Sequence, residues 1–209
     1  MSSDYVLRQR LAEIVGREVS SKRVLDVLRE MPRHVFVPEC SLEDAYGDYP
    51  LPIGHGATIS QPTVVGMMSE ALELQGDERI LEIGTGSGYQ AAVLCRLGRH
   101  VDTIEVVPEL ADRARRALTE VGCTNVDVHV GDGWNGLPSG APFDRIVVTA
   151  APDELPRALV DQLAEGGLLV APVGPQFEDQ RLERHRKKNG HLVREDLGGV
   201  RFVPMVHRS

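Results

Sequence analysis

The chain has 209 residues, of which 42% are hydrophobic and 26% charged, and its formal net charge is -8. That length can bury one substantial core without metals or disulfides, and no apolar run approaches the about 18 residues of a membrane span. The acidic balance argues against a partner whose affinity comes from neutralising many phosphates, because such binding needs a clustered basic face.

The N-terminus, Met1-Ser2-Ser3-Asp4-Tyr5-Val6-Leu7-Arg8, lacks the basic and then apolar build of a secretory signal. A cytoplasmic protein with no membrane partner and no nucleic-acid partner is expected. Residues 4–16 and 21–30 carry helical periodicity, through Val6, Leu7, Leu11, Ile14 and Val15 and then Val24, Leu25, Val27 and Leu28, with Ser20 or Ser21 as cap of the second helix. Pro32 disfavours helical geometry at Met31 and opens an irregular segment reaching about residue 60. Tyr46, Tyr49, Pro50, Leu51, Pro52 and Ile53 make that segment too apolar for a disordered linker, so an ordered cap over 40–57 is expected. Ser60 then reads as an N-cap and Pro62 as a first-turn residue of a helix over 61–74.

From Arg79 onward, strands are predicted near 79–84, 100–105, 125–130, 144–149 and 167–172, with helices near 88–97, 108–121 and 155–164. That alternation is the rhythm of a parallel sheet covered on both faces. After Pro175 the pattern becomes strand, Asn189-Gly190 hairpin turn, strand, and a closing strand from Val200 to Val206. Arg181 to Lys188 reads as a solvated strand face. Cys40, Cys95 and Cys123 lack metal or redox spacing and read as small buried residues, and the seven scattered His suggest no metal site.

Glu82-Ile83-Gly84-Thr85-Gly86-Ser87-Gly88 organises this alternation. Its glycines let the backbone bend and approach a ligand at a helix start, where a phosphate, a carboxylate or a ribose-bearing cofactor is suited about equally. In a doubly wound sheet the ligand lies outside the carboxyl ends of the strands, which here carry Gly84 to Gly88, Glu105, Asp132-Gly133 and Thr149-Ala150-Ala151. Glu105, placed 21 positions after Gly84, can accept both ribose hydroxyls, and Asp132 can accept an adenine amino group. A dinucleotide fingerprint would place its third glycine where Tyr89 stands. The E-x-G-x-G-x-G pattern instead points to S-adenosyl-L-methionine, with S-adenosyl-L-homocysteine as product.

In order and spacing, Met31-Pro32-Arg33 with Phe36-Val37-Pro38, the Ala45-Tyr46 to Gly54 stretch, Ala57 to Pro62, Glu82 to Tyr89, Gly131-Asp132-Gly133, Gly166-Gly167 to Gly174 and Gly199 to Pro204 resemble the protein-L-isoaspartate O-methyltransferase family. Nearly the whole chain is covered. The resemblance implies a Rossmann-like, mostly parallel seven-stranded sheet with an antiparallel C-terminal hairpin, whose last two strands are exchanged relative to most methyltransferases. It implies one domain over 1–209: N-terminal helices and cap over 1–60, cofactor-binding core over 61–175, hairpin and closing strand over 176–209. It also implies Ser60 as the active-site residue. Ile59, Gln61, Thr63, Glu82, Gly84, Thr85, Gly86, Ser87, Gly88, Glu105, Val106, Asp132, Gly133 and Thr149 are the implied cofactor-binding set. Thr58, Ser60, Val200, Phe202 and Val203 are the implied substrate set, and no metal is implied. Thr63 and Gln61 replace a His and an Ala of eukaryotic members, which places the resemblance in the bacterial and archaeal branch.

The implied substrates are isoaspartyl proteins and peptides, with D-aspartyl residues a further possibility. Esterification leads through a succinimide to aspartate. The attacking α-carboxylate is already ionised at neutral pH, so no general base is needed, and catalysis reduces to placing one oxygen in line with the sulfonium methyl. Ser60 would orient that carboxylate, together with free N–H groups of the helix start. A monomer is expected. Two alternatives keep parts of this reading: a methyltransferase acting on a small molecule or one specific peptide aspartate, and a nucleotide-binding protein without transfer activity.

Overall fold

Arg79-Ile80-Leu81-Glu82-Ile83 forms the central strand, β3, of the computed structural model, which describes residues 3–176 and 179–207. Its neighbours follow from the pattern of short apolar runs and crossover helices. β4 (His100–Glu105) and β6 (Phe143–Val148) flank β3 in parallel, β5 (Val126–Val130) lies outside β4, and β7 (Leu163–Val173) lies outside β6. β8 (Gln180–Lys188) and β9 (His191–Val200) add as an antiparallel hairpin, giving the order β5-β4-β3-β6-β7-β8-β9. Strand order reverses at β3, the switch point where α/β sheets open a crevice at their carboxyl ends.

Side chains alternate across the strands, so each face carries its own core. Ile80, Val101, Val147 and Val170 pack with α1 (Ser3–Val15), α2 (Lys22–Glu30), α4 (Pro62–Ala71), α5 (Tyr89–Cys95) and α6 (Pro108–Glu120). Leu81, Ile83, Ile104, Ile146 and Val148 pack on the other face with Leu159 of α7 (Arg157–Gln162) and Met205. Ser21 caps α2 by accepting the Val24 N–H. At the hairpin tip Asn189 and Gly190 both take positive φ, the mirror-image turn which suits twisted strands. Arg181, Arg184, Arg186 and Arg194 around that hairpin are paired with Asp196, Glu195, Glu73 and Glu183.

The irregular stretch is an ordered cap, as expected, but it has structure of its own. A 3-10 turn (Arg33–Phe36), the short α3 (Leu42–Ala45) and a hairpin of β1 (Leu51–Gly54) with β2 (Ala57–Ile59) succeed one another. Arg113 of α6 fastens the hairpin by donating to the Ile53 carbonyl at 2.8 Å.

Three expectations are corrected. The helix near 155–164 is only one and a half turns long, since β7 begins at Leu163 and absorbs Gly166-Gly167 in a register shift opposite Phe143 and Arg145. The closing strand does not run from Val200 to Val206, because Val200 pairs with Gln180, the first residue of β8, and among the described residues only an isolated bridge of Pro204 to Ala151 follows. The chain crosses instead to the end of β6, where Ala151 donates to the Val203 carbonyl and accepts from the Met205 N–H, both at 2.8 Å. Finally, Cys95 and Cys123 meet as a disulfide pair across 28 residues, while Cys40 stays free.

Candidate active site

At the end of β3 the backbone turns through Gly84 at φ 94°, a conformation that L side chains rarely adopt. A Cβ there would stand 2.6 Å from Thr149 Oγ1, whose hydroxyl donates to the Ile83 and Gly84 carbonyls at 3.0 and 2.5 Å. Glu105, at the end of β4, fixes the far side of the turn. It accepts the Gly86 N–H at 2.7 Å and the Val107 N–H at 3.0 Å, and it is 5% exposed. Thr85 reaches back to Thr103 at 2.7 Å, and Gly88, also left-handed, starts α5.

The turn forms the wall of a cavity of about 370 Å3, within the size range of cofactor sites. Of the residues singled out in the sequence, Thr58, Ile59, Ser60, Gly84, Thr85, Gly86, Ser87, Glu105, Val106, Gly133, Thr149 and Val203 line it. A second cavity of about 670 Å3 adjoins it, lined by Thr58, Ser60, Gln61, Val200, Phe202 and Val203. Thr58, Ser60, Thr149 and Val203 belong to both walls. The wall of the first cavity combines the Glu105 carboxylate as acceptor, hydroxyls and backbone N–H donors with the apolar Ile83, Ile104 and Leu110, a lining that fits a polar ribose joined to a flat apolar base.

Glu82, Gly88, Thr63 and Asp132 do not line either cavity. Glu82 is buried below the turn, with neither carboxylate oxygen within hydrogen-bond reach of a partner among the described residues. Burial pushes its carboxyl up to about 8; the Thr103 hydroxyl opposes the rise and the Glu105 charge adds to it. Asp132 lies behind Gly133. It accepts the Trp134 N–H at 3.0 Å and meets His207 Nδ1 at 3.2 Å, with the His207 ring stacked on Trp134 at 4.8 Å. The C-terminal segment thus lies over this end of the cavity, whose wall includes Met205 and Val206. Arg208 falls outside the described residues.

Ser60 does not cap α4. The N-cap position is Gln61, and the capping oxygen comes from Asp48, which accepts the Thr63 N–H at 2.9 Å, the Thr63 hydroxyl at 2.8 Å and the Gln61 side-chain amide at 3.0 Å. The helix start therefore offers an anion fewer free donors than the sequence suggests: Pro62 has no N–H, and that of Thr63 is taken. The Ser60 carbonyl accepts from Arg33 at 3.0 Å, and its hydroxyl has no hydrogen-bond partner among the described residues. Arg33 is fully buried, donates also to the carbonyls of Ala45 and Tyr49 at 2.5 and 3.2 Å, and lies over the Tyr89 ring. Burial lowers its pKa, while the negative charge of Asp48 is among the groups holding it up. Neither the role of Arg33, which in the sequence stands only within a family motif, nor that of Asp48 is encoded locally, because the contacts of both span 12 to 27 residues.

The edge expected to meet a peptide is partly occupied. Gln180 holds the Phe202 N–H at 2.7 Å and the Phe202 carbonyl at 3.3 Å, and Ala151 holds the Val203 carbonyl. The Arg201 N–H and carbonyl and the Val203 N–H keep no intramolecular partner among the described residues.

A glycine turn at the switch point, an acidic residue closing the next strand and a cavity between them fit an α/β methyltransferase that uses S-adenosyl-L-methionine. The family described as protein-L-isoaspartate(D-aspartate) O-methyltransferase matches residues 8–209, and the chain belongs to that family. Among its relatives, the protein-L-isoaspartate O-methyltransferase of Methanoculleus marisnigri is 52% identical over 93% of this chain and 88% of its own length. That of Gloeobacter violaceus is 52% identical over 92% and 94% respectively. A solved protein-L-isoaspartate O-methyltransferase superposes with a TM-score of 0.88 at 31% identity, over 96% of this chain and 66% of that one. A Plasmodium falciparum structure assigned to the same activity, in complex with S-adenosyl-L-homocysteine, gives 0.83 at 25% identity, over 95% and 98%. The chain is an S-adenosyl-L-methionine-dependent carboxyl methyltransferase of the protein-repair type.

Proposed function

We propose that Ser60 presents the α-carboxylate of an L-isoaspartyl residue for methylation, with the peptide lying in the larger cavity and the cofactor in the smaller. One observation carries this reading: the unpartnered Ser60 hydroxyl stands in the wall shared by the two cavities. The bound cofactor supplies an electrophilic methyl group. The protein's part is positional: the Ser60 O–H donates to one carboxylate oxygen and leaves the other free to attack, in a cleft closed by the cap and the C-terminal segment. Gly84 to Ser87, Glu105, Val106, Gly133, Ile59 and Thr149 would hold the cofactor. Glu82, Gly88, Thr63 and Asp132 would act by shaping the turn, the helix start and the adenine end. Arg201 and Val203 offer main-chain groups to an extended peptide, recognition that is indifferent to side chains and suits damage scattered over many proteins.

The test compares methyl transfer to an isoaspartyl peptide with transfer to its aspartyl twin. Only the first should be methylated, and Ser60→Ala should lower turnover about 10- to 100-fold, the worth of a hydrogen bond to a charged group, while largely sparing cofactor affinity. Equal loss of both would demote Ser60 to a structural role. Transfer to neither peptide would favour a small molecule or one specific aspartate as substrate.

No helix among the described residues is long and apolar enough to cross a membrane. We further propose a cytoplasmic monomer without nucleic-acid affinity, on the net charge of -8 and the acid-paired arginines of the hairpin. A dimer mass in sedimentation, or a shifted nucleic-acid band, would remove the corresponding part.

A further inference from the structure

The first turn of α4 has a donor that must be satisfied, the Thr63 N–H. Ser60 lies three residues before it, the spacing at which a serine hydroxyl ordinarily accepts such a group. If it did so here, the hydroxyl would be turned toward the helix and away from a substrate. Asp48 prevents this by supplying the acceptor from the cap segment.

We infer that Asp48 is a positioning residue for methyl transfer: by taking the Thr63 N–H it keeps the Ser60 hydroxyl free for the carboxylate. The inference rests on the role proposed for Ser60. A carboxylate so near an anionic substrate is tolerable because three donors, the Thr63 N–H, the Thr63 hydroxyl and the Gln61 amide, converge on its two oxygens. Arg33 adds a buried positive charge on the same side. Its guanidinium holds the carbonyls of Ala45 and Tyr49, on either side of Asp48 in the chain, together with that of Ser60. One cation thus fixes the segment that carries Asp48 to the residue that Asp48 protects.

The experiment is a double-mutant cycle on the full chain, with methyl transfer to an isoaspartyl peptide and S-adenosyl-L-homocysteine affinity as readouts. Asp48→Ala should lower kcat about tenfold and leave cofactor-product affinity within about twofold. Asp48→Asn, which keeps one oxygen for the Thr63 N–H, should recover most of the loss. In the Ser60→Ala background, Asp48→Ala should change kcat by less than about twofold, because the hydroxyl it serves is gone. The same tenfold loss in both backgrounds, an asparagine variant as slow as the alanine one, or an unchanged kcat would overturn the inference. Should the alanine variant fail to fold, Asp48→Ser, whose hydroxyl is too short to reach Thr63, runs the same cycle. Failure of the Ser60 reading is separately visible, as full turnover in Ser60→Ala alone.

Discussion

Glu82 shows how much one buried carboxyl can weigh. Fully enclosed beneath the cofactor turn, and opposed only in part by the Thr103 hydroxyl, its carboxyl is pushed by burial up to about 8, against an ordinary value of 4.5. The folded state therefore keeps a proton that the unfolded chain has released between those two values. Its contribution to stability is fully present below pH 4.5, falls as pH rises, and is lost above about 8, at up to about 1.4 kcal/mol per pH unit. Glu82→Gln removes the titration while keeping the shape. Thermal midpoints measured from pH 5 to pH 9 should decline less steeply for the variant than for the parent, with the gap in the variant's favour widest at the alkaline end. Parallel declines would mean that Glu82 is ionised, or solvated, in the folded protein.

At the scale of elements, the glycine turn makes a sharper demand than its sequence pattern expresses. Gly84 combines φ 94° with a virtual Cβ 2.6 Å from Thr149 Oγ1, whereas Gly166 combines φ 79° with no atom within 4 Å. Gly166→Ala should cost about 1 kcal/mol of stability, from backbone strain alone. Gly84→Ala should cost about 1–3 kcal/mol more, because Thr149 must leave the Ile83 and Gly84 carbonyls, and should weaken S-adenosyl-L-homocysteine binding at least about tenfold. Denaturant midpoints and calorimetric titration of the two variants check this, and equal stability losses would show the turn yielding freely. The turn, the alternating strands and the hairpin at Asn189-Gly190 were legible because each is encoded within a few residues. The cap's existence was legible too, from its apolar residues, but its internal elements were not: α3 has four residues and β2 three, too short for periodicity to register. Ser60 reads as a cap in the sequence for a related reason. The local spacing was right, and the oxygen that won came from Asp48 in another segment.

For the whole molecule, the decisive feature is that cofactor and peptide cavities share a wall. Val203 lines both, and among the described residues its segment is held by a few bonds: Gln180 to Phe202, Ala151 to Val203 and Met205, and the His207 contacts with Asp132 and Trp134. A ligand that orders this segment from one side reduces the ordering left for the ligand on the other, so the two binding events should be coupled through it. S-adenosyl-L-homocysteine should raise isoaspartyl-peptide affinity about fivefold or more, in the range usual for coupled sites. Gln180→Leu removes the clamp on Phe202 without touching the glycine turn or Ser60. It should lower peptide affinity and shrink the coupling factor, while binding of S-adenosyl-L-homocysteine alone changes much less. Titrations of each ligand with and without the other, in parent and variant, give both quantities. A coupling factor near one in the parent would mean that the closing segment is already fully ordered before either ligand arrives, and that the shared wall conveys nothing between the sites.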